Sequence, residues 1–236
     1  MIDNIYNPEY VKTLFDKMSQ SYERMNYITS FGFSIRWRHQ FLNKIEPSSE
    51  KIKIIDLLSG MGETWMPTIA KFPNAQLTAL DFSEGMLKYA SKKNIKHFQS
   101  RIIILHQDIL NNQLPVNHYD IVTCAFGLKT FNEDQLKILA KVVKHILKPG
   151  GQFSFIEVSK PKNELLSKLY GLYLGKIIPV LGKILLGNPD EYKMLWKYTL
   201  QFENSRKAYE IFKSSGLEMT YQTYFLGCAS GFNGRK

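Results

Sequence analysis

The chain of 236 residues has few cysteines and no long apolar run. Its two cysteines, Cys124 and Cys228, each lie in a stretch of apolar or small residues, which favours buried free thiols in a reducing compartment. No segment approaches the roughly 18 uninterrupted apolar residues of a membrane span, and the first residues lack the basic and apolar regions of a signal peptide. The sequence therefore predicts a cytoplasmic protein, with peripheral contact at the inner face of a membrane as a further expectation.

Several function classes lack their sequence signals. The five histidines show no metal-ligand spacing, so we expect no metal site. The chain also lacks a zinc knuckle, an RNP-type strand and an arginine-rich arm, so we expect no nucleic-acid partner. The net charge of +10 then leaves two explanations open. One is a lysine-rich solvated surface, and the other is contact with an anionic membrane or an acidic substrate.

The sequence does carry the pattern of an α/β fold. Apolar residues make up 44% of the chain, enough for a sizeable core without disulfides or metals. Predicted strands alternate with helices across residues 52–158, which requires a parallel sheet with helices on both faces. We predict strands around Ile54–Leu57, at Gln76–Leu80, Arg101–Leu105, Asp120–Phe126 and 152–158, and a closing antiparallel pair at Glu218–Phe225 and Gly227–Asn233. We predict helices at 64–71, 83–93, Asn132–Lys148 (ended by the Pro-Gly-Gly that follows it) and Ser205–Ser214.

The stretch Ile52–Trp65 combines a buried-type strand, an acid and a glycine turn. Asp56 comes just before the turn, and Ser59, Gly60 and Gly62 give the small, permissive backbone that a close ligand needs. Turns at the carboxyl ends of parallel strands are where open α/β sheets bind nucleotides. Taken alone, however, such a turn also serves as an ordinary strand-to-helix connection.

Two further acids strengthen the nucleotide interpretation. Asp81 follows the second predicted strand and Asp108 the third, so both should lie at the same sheet edge as Asp56. An acid after the second strand is well placed to accept hydrogen bonds from ribose hydroxyls. The third glycine of the dinucleotide pattern is replaced by Trp65, and no G-K-[ST] follows. The pattern thus favours a nucleoside-type cofactor over a dinucleotide or a P-loop ligand.

Longer motifs resemble a known family. The hydrophobic-D-x-x-x-G-x-G turn, YDIVTCAFGL and LKPGG resemble motifs of class I S-adenosylmethionine methyltransferases. Four longer stretches resemble the ubiquinone/menaquinone C-methyltransferase family, UbiE/COQ5. They are FDKMSQSYERMNYITSFGFSIRWR, LKPGGQFSFIEVSKP, LYLGKIIPVLGKILLGNPDEYKML and the final GFNGRK. The resemblance covers nearly the whole chain. It implies a Rossmann-like, doubly wound, mostly parallel sheet of about seven strands with a C-terminal antiparallel pair, an N-terminal helical arm and a helical insertion after strand five.

The resemblance also implies one domain with four parts. Residues 1–46 would form an arm or lid, 47–160 the cofactor-binding core, 161–200 an insertion over the substrate pocket, and 201–236 a closing helix and strand pair. The cofactor would be S-adenosylmethionine, with S-adenosylhomocysteine as product, and the partners an apolar ring-bearing substrate, a membrane surface and a second copy of the chain in a homodimer.

Site residues follow from the acids, the turn and the resemblance together. Cofactor contacts are predicted at Tyr22, Asp56, Ser59, Gly60, Gly62, Trp65, Asp81, Phe82, Met86, Asp108, Ile109 and Ala125. A substrate pocket is predicted at Phe31, Phe33, Trp37, Phe126, Tyr170 and Tyr173. Lys129 stands where the family has the arginine of F-G-[LI]-R-N, a candidate for deprotonating or orienting the substrate, so Lys129 is the catalytic candidate.

The implied reaction is methylation of a ring carbon of a prenylated benzoquinol or naphthoquinol. The chain departs from the family pattern at Met61, Trp65, Ala125, Lys129 and Phe232. These departures keep two alternatives open, which are a diverged methyltransferase acting on another apolar, ring-bearing or isoprenoid metabolite, and an inactive scaffold that binds cofactor or quinone within a membrane-bound biosynthetic complex.

Overall fold

A computed structural model describes residues 3–19, 30, 32–173, 177 and 189–236. The α-helices are α1 (Pro8–Met18), α2 (Phe33–Leu42), α3 (Trp65–Lys71), α4 (Glu84–Phe98), α5 (Glu133–Ile146), α6 (Glu164–Leu172), α7 (Pro189–Phe202) and α8 (Arg206–Ser214). The strands are β1 (Lys53–Leu57), β2 (Gln76–Asp81), β3 (Ile103–His106), β4 (Tyr119–Ala125), β5 (Leu147–Val158), β6 (Glu218–Tyr224) and β7 (Ala229–Arg235).

The seven strands form one sheet in the order β3-β2-β1-β4-β5-β7-β6. The first five strands are parallel, and β7 pairs antiparallel with both β5 and β6. This confirms the predicted mostly parallel sheet with a C-terminal antiparallel pair. The strand order reverses between β1 and β4, and such a switch point opens a crevice at the carboxyl ends of the strands.

Helices cover both faces of the sheet because their apolar stripes match the buried strand faces. On one face, α5 buries Leu139 and Val143, and α8 buries Phe212, in a core that includes Phe153 and Phe155 of β5. Side chains of α2, α3 and α4 pack on the other face. They are Trp37, Phe41, Trp65, Leu87 and Phe98. Both cysteines are buried and free, as the sequence predicts.

The Pro-Gly-Gly segment lies inside a strand instead of merely ending a helix. The prediction that the preceding helix runs to Lys148 is wrong, because α5 ends at Ile146 and β5 begins at the next residue. The reason is a backbone pairing with the last residue: Gly150 N donates to Lys236 O (2.9 Å), and Lys236 N donates to Gly151 O (3.0 Å). For the same reason β7 extends beyond the predicted Asn233, to Arg235.

The N-terminal helix packs on the core next to α4 and α7. Val11, Leu14 and Met18 of α1 form a third apolar cluster with Met86 and Tyr198. The hydroxyl of Tyr198 donates to the carbonyl of Ile5, which ties the first described turn to α7. No helix among the described residues is long and apolar enough to cross a membrane.

Candidate cofactor site

An open cavity, about 870 Å³ when the solvent space at its mouth is included, lies at the carboxyl ends of β1, β2 and β4. Its lining includes most of the residues that the sequence predicts as cofactor contacts. These are Asp56, Ser59, Gly60, Asp81, Phe82, Met86, Asp108, Ile109 and Ala125. The sheet explains this grouping, because parallel strands end at one edge and β1 lies between β2 and β4.

The glycine turn is held against β2 by two backbone bonds. Ser59 N donates to Leu80 O (3.0 Å), and Gly60 N donates to Asp81 Oδ2 (2.8 Å). Gly60 has a φ of +57°, a conformation that glycine adopts without steric cost. The Ser59 hydroxyl oxygen is buried and has no hydrogen-bond partner, so the turn leaves a polar group available to a ligand.

Asp56 is buried at the end of β1 with one oxygen unpaired. Thr123 Oγ1, from the residue paired with Asp56 on β4, donates to Asp56 Oδ1 (2.8 Å), while Oδ2 has no partner. The pKa of Asp56 is raised to about 7, mainly by burial, with the Thr123 hydrogen bond and the charge of Arg38 lowering it and the negative charges of Glu63 and Asp81 raising it. A cationic or hydrogen-bond-donating ligand group would relieve this unpaired oxygen.

Asp81 is also buried but accepts from two backbone donors. Its Oδ1 accepts from Ser83 N (2.9 Å), and its Oδ2 accepts from Gly60 N. Burial raises the pKa of this carboxyl to about 6 despite these hydrogen bonds. A carboxylate oxygen has two lone-pair sites, so each oxygen of Asp81 retains capacity for a ligand hydroxyl.

The edge after β3 carries Gln107 and Asp108. Asp108 Oδ1 accepts from Leu110 N (2.9 Å) and starts the 3-10 turn Ile109–Asn111. Gln107 also lines the cavity, and its Oε1 is buried without a hydrogen-bond partner. The sequence did not single out Gln107, because a glutamine before an acid carries no distinctive pattern.

The N-terminal helix supplies another wall of the cavity. Tyr6, Val11 and Phe15 line it. Asp16 of α1 fastens this helix to the start of α4, because its Oδ1 accepts from Ser83 Oγ (2.6 Å) and from Gly85 N (2.8 Å). The sequence predicts an arm or lid at residues 1–46, and the contacts predicted within it at Tyr22 and Phe31 lie outside the described residues.

Trp65 does not reach the cavity, contrary to the predicted cofactor contact. Its side chain is fully buried in the core below α3, where its ring centroid lies 5.9 Å from that of Phe98. Gly62 is likewise absent from the lining of this cavity. A Cβ at Gly62 would collide with the Trp65 ring, and its φ is +79°, so Gly62 makes room for the indole rather than for the ligand.

Lys129, the predicted catalytic residue, is also placed away from the cavity. Its ammonium is buried and donates to Glu157 Oε1 (2.7 Å) and to Phe126 O (2.9 Å). Glu157 Oε2 in turn accepts from Lys129 N (3.1 Å). Lys129 thus forms a buried ion pair that holds the Phe126 turn, so its ammonium is already engaged, and the catalytic role stays a prediction.

The predicted substrate aromatics are mostly in the layer behind the cavity wall. Phe126 lines the cavity with a φ of +68°. Phe33, Trp37 and Tyr170 belong to the core cluster that Phe126 joins, and the Trp37 and Phe126 ring centroids are 6.5 Å apart. Tyr173 packs instead beside the α1 cluster. The structure therefore places Phe126 alone of these described aromatics in the cavity lining.

Comparison with known proteins decides the family. The model of the ubiE/COQ5 methyltransferase family matches residues 4–236. The chain belongs to the ubiE/COQ5 methyltransferase family. It is 31% identical over 229 residues to the demethylmenaquinone methyltransferase of Staphylococcus haemolyticus, covering 96% of this chain and 93% of that protein. The Listeria welshimeri protein of the same name is 30% identical over 224 residues, with 94% and 93% covered.

The fold has solved counterparts at lower identity. A methyltransferase of Thermotoga maritima, described as dependent on S-adenosylmethionine and as a possible histamine N-methyltransferase, superposes with a TM-score of 0.64 at 17% identity. The alignment covers 95% of this chain and 99% of that chain. At this identity the likeness supports the fold. The family and the fold together make this ubiE/COQ5 protein an S-adenosylmethionine-dependent methyltransferase.

The residues of the cavity fit this cofactor. S-Adenosylmethionine has a net positive charge and, beside its carboxylate, carries hydrogen-bond donors in its ammonium, ribose hydroxyls and adenine amino group. The cavity presents unpaired buried acceptors at Asp56 Oδ2, Ser59 Oγ and Gln107 Oε1. We propose that Asp81 would face the ribose hydroxyls, Asp108 and Ile109 the adenine, and Asp56 the ammonium group. When bound, the cofactor supplies an electrophilic methyl group on its sulfonium.

The ribose assignment leads to a first prediction. Asp81→Asn is expected to weaken S-adenosylhomocysteine binding by about 10- to 100-fold, since hydrogen bonds to a charged group contribute about 1.5–3 kcal/mol. Isothermal titration calorimetry measures the effect. Asp134→Asn, on the exposed first turn of α5, is the matched control and should bind as the wild type does. Equal affinity in both variants would remove Asp81 from the cofactor site.

Proposed function

We propose that this methyltransferase transfers the methyl group of S-adenosylmethionine to a ring carbon of a prenylated benzoquinol or naphthoquinol. The similarity to two demethylmenaquinone methyltransferases over more than nine-tenths of the chain carries this proposal. The apolar part of the cavity supports it. Val11, Leu58, Phe126 and Phe131 form a surface that suits a flat ring.

The residues of the chain would align the two reactants and exclude water from the reacting atoms. An electron-rich ring carbon attacks the methyl group in line, so the main demands are alignment of the two reactants and exclusion of water. Phe126 is held in its unusual backbone conformation by the Lys129 ammonium, which fixes one wall. The α1 residues Val11 and Phe15 close another wall.

Methyl transfer to quinols can be tested directly. Purified protein with labelled S-adenosylmethionine and a demethylated quinone extract is expected to give a quinone heavier by one methyl group, detected by mass spectrometry. The Asp81→Asn variant, at cofactor concentrations below saturation, should give less product. Transfer only to other apolar metabolites in a total lipid extract would identify a diverged acceptor. Cofactor binding without transfer to any lipid would point to a scaffold.

We also propose that α6 and a neighbouring turn contact an anionic membrane. Leu165, Leu169 and Leu172 recur at the spacing of one helix face and are exposed, and α6 has no buried residue. The turn Phe225–Gly227 exposes Leu226 and approaches the start of this segment, where Gly227 lies against Pro161. Three lysines, Lys160, Lys162 and Lys168, are close to these leucines in the sequence. Basic residues beside an apolar surface suit anionic lipid headgroups.

Membrane contact predicts salt-sensitive vesicle binding. Co-sedimentation with vesicles containing phosphatidylglycerol is expected, and it should decrease as salt rises because screening weakens the lysine contribution. Leu165→Asp should reduce binding strongly. Ile95→Asp is the matched control, because Ile95 is 68% exposed on α4 and Leu165 is 69% exposed on α6. Equal loss in both variants, or no binding by the wild type, would contradict the proposed surface.

The predicted homodimer stays a prediction. The sheet ends at β6, whose outer edge has no partner strand in the described part of the chain. An edge strand is one surface through which two copies can pair. Size-exclusion chromatography with light scattering measures the oligomeric state.

A further inference from the structure

Arg38 is a buried cation that the described residues leave without an anionic partner in contact. It lies on α2, is 7% exposed and lines the cofactor cavity. Its guanidinium carbon lies 4.8 Å from the centroid of the Phe126 ring, and its Nε is buried without a hydrogen-bond partner. No hydrogen bond or ion pair joins Arg38 to another described residue. The guanidinium is thus oriented by an aromatic face but not neutralised.

A buried guanidinium in this state is costly. An unpaired buried charge destabilises a protein by several kcal/mol, and proteins normally pair it or use it. Asp56 is close enough for the charge of Arg38 to lower its pKa, although burial dominates and raises that pKa. Glu63 also lines the cavity, and its Oε1 is buried without a partner. Positive and negative groups therefore face one part of the cavity without contacting each other.

This arrangement has the charge pattern that an α-amino acid group requires. A zwitterion carries an ammonium and a carboxylate on one carbon, so its receptor needs an anion and a cation a short distance apart. Asp56 provides an unpaired carboxylate oxygen, and Arg38 provides a planar fork of donors that suits a carboxylate. The methionyl end of S-adenosylmethionine is the part of the cofactor with this group.

We propose that Arg38 binds the α-carboxylate of the cofactor's methionyl portion, with Asp56 facing its ammonium group. The position of Arg38 supports this, because it lines the same cavity as Asp56 and the glycine turn that follows β1. Its guanidinium lies over the Phe126 ring, a cation–π contact that positions the group without using its N–H donors. The assignment concerns the cofactor and is independent of which acceptor is methylated.

An alternative anion is the ionised hydroxyl of the acceptor, and binding measurements without acceptor distinguish the two. Arg38→Met keeps an unbranched apolar chain and removes the charge, and Arg38→Lys keeps a charge without the fork. Calorimetry would compare S-adenosylmethionine with its decarboxylated analogue, which differs only by the carboxylate. Arg36→Met, on the exposed side of the same helix, is the matched control.

We expect Arg38→Met to weaken S-adenosylmethionine binding about 10- to 100-fold, the range for a charge-assisted hydrogen-bond pair. Binding of the decarboxylated analogue should change by less than about twofold in the same variant, and Arg38→Lys should fall in between. Unchanged affinity for S-adenosylmethionine would overturn the proposal and assign Arg38 to the acceptor. Equal weakening of both ligands would overturn it in favour of a structural role, which thermal denaturation of the variant would show as a lowered Tm.

Discussion

Lys129→Met is expected to lower the free energy of unfolding by about 3–5 kcal/mol, the usual cost of leaving one member of a buried ion pair alone. Glu157 is completely buried in β5 and would keep its charge without the Lys129 ammonium 2.7 Å away. Urea unfolding followed by circular dichroism measures the loss. Lys137→Met is the control, because Lys137 is 52% exposed and its bonds to Glu133 and Asp134 lie on the surface.

The control should cost about 0–1 kcal/mol, as exposed ion pairs do. The double variant Lys129→Met with Glu157→Gln should regain part of the loss, because it removes the stranded charge and its amide oxygen still accepts from one of the two backbone donors, Lys129 N or Val158 N. A Lys129→Met variant as stable as Lys137→Met would show that the pair contributes little. A loss of activity with unchanged stability would return Lys129 to the role of a catalytic residue.

Cofactor affinity is expected to fall by about tenfold for each pH unit below the pKa of Asp56, the change that follows from one proton per binding event. The pKa of Asp56 is raised to about 7 and that of Asp81 to about 6, in both cases mainly by burial. Ionised carboxylates bind the ammonium and ribose groups, and acidification neutralises first Asp56 and then Asp81. Isothermal titration calorimetry between pH 5.5 and 8 measures this pH dependence of affinity. Arg38 and Glu63 line the same cavity as Asp56.

Asp56→Asn is the variant that isolates the effect. It should bind less tightly at pH 8 and should lose the dependence on pH between about 6.5 and 8. A wild-type affinity that is flat across this range would contradict the assignment of Asp56 to the ammonium group.

The same two carboxyls give the stability of the cofactor-free protein a defined pH dependence. Their pKa values are higher in the folded than in the unfolded chain, so the folded protein binds more protons between about pH 4 and 7. Their contribution is therefore favourable in acid and is lost as pH rises through 7. Because the cofactor compensates the ionised forms, the rise in Tm on adding S-adenosylhomocysteine should be larger at pH 8 than at pH 6.

The sequence predicted the parts of the site that depend on chain order. Alternating strands and helices, the glycine turn and the acids after the strands all follow from local pattern, and parallel strands bring those acids to one edge. The meeting of Asp56, Asp81 and Asp108 at one cavity was therefore predictable before the sheet order was known. The motif resemblance added the family and the cofactor.

What the sequence could not predict depends on contacts between distant segments. Lys129 meets Glu157 across β4 and β5, and no local pattern shows that the pair is buried. Asp16 caps the start of a helix more than sixty residues later. One signal was available: Gly85, in the first turn of α4, marks a place where another backbone comes close, and a Cβ there would lie 2.9 Å from Asp16 Cα.

The contact between Gly62 and Trp65 constrains how this turn could have evolved. The indole of Trp65 occupies the space directly over Gly62. A tryptophan could be accepted at position 65 only in a background that already had glycine at position 62. Once it was accepted, the indole added a steric cost at position 62 to the strain that the positive φ imposes on any side chain there. The two positions therefore form an epistatic pair, and Gly62→Ala should destabilise the protein less in a Trp65→Ala background than in the wild type, while glycine stays the most favourable residue at 62.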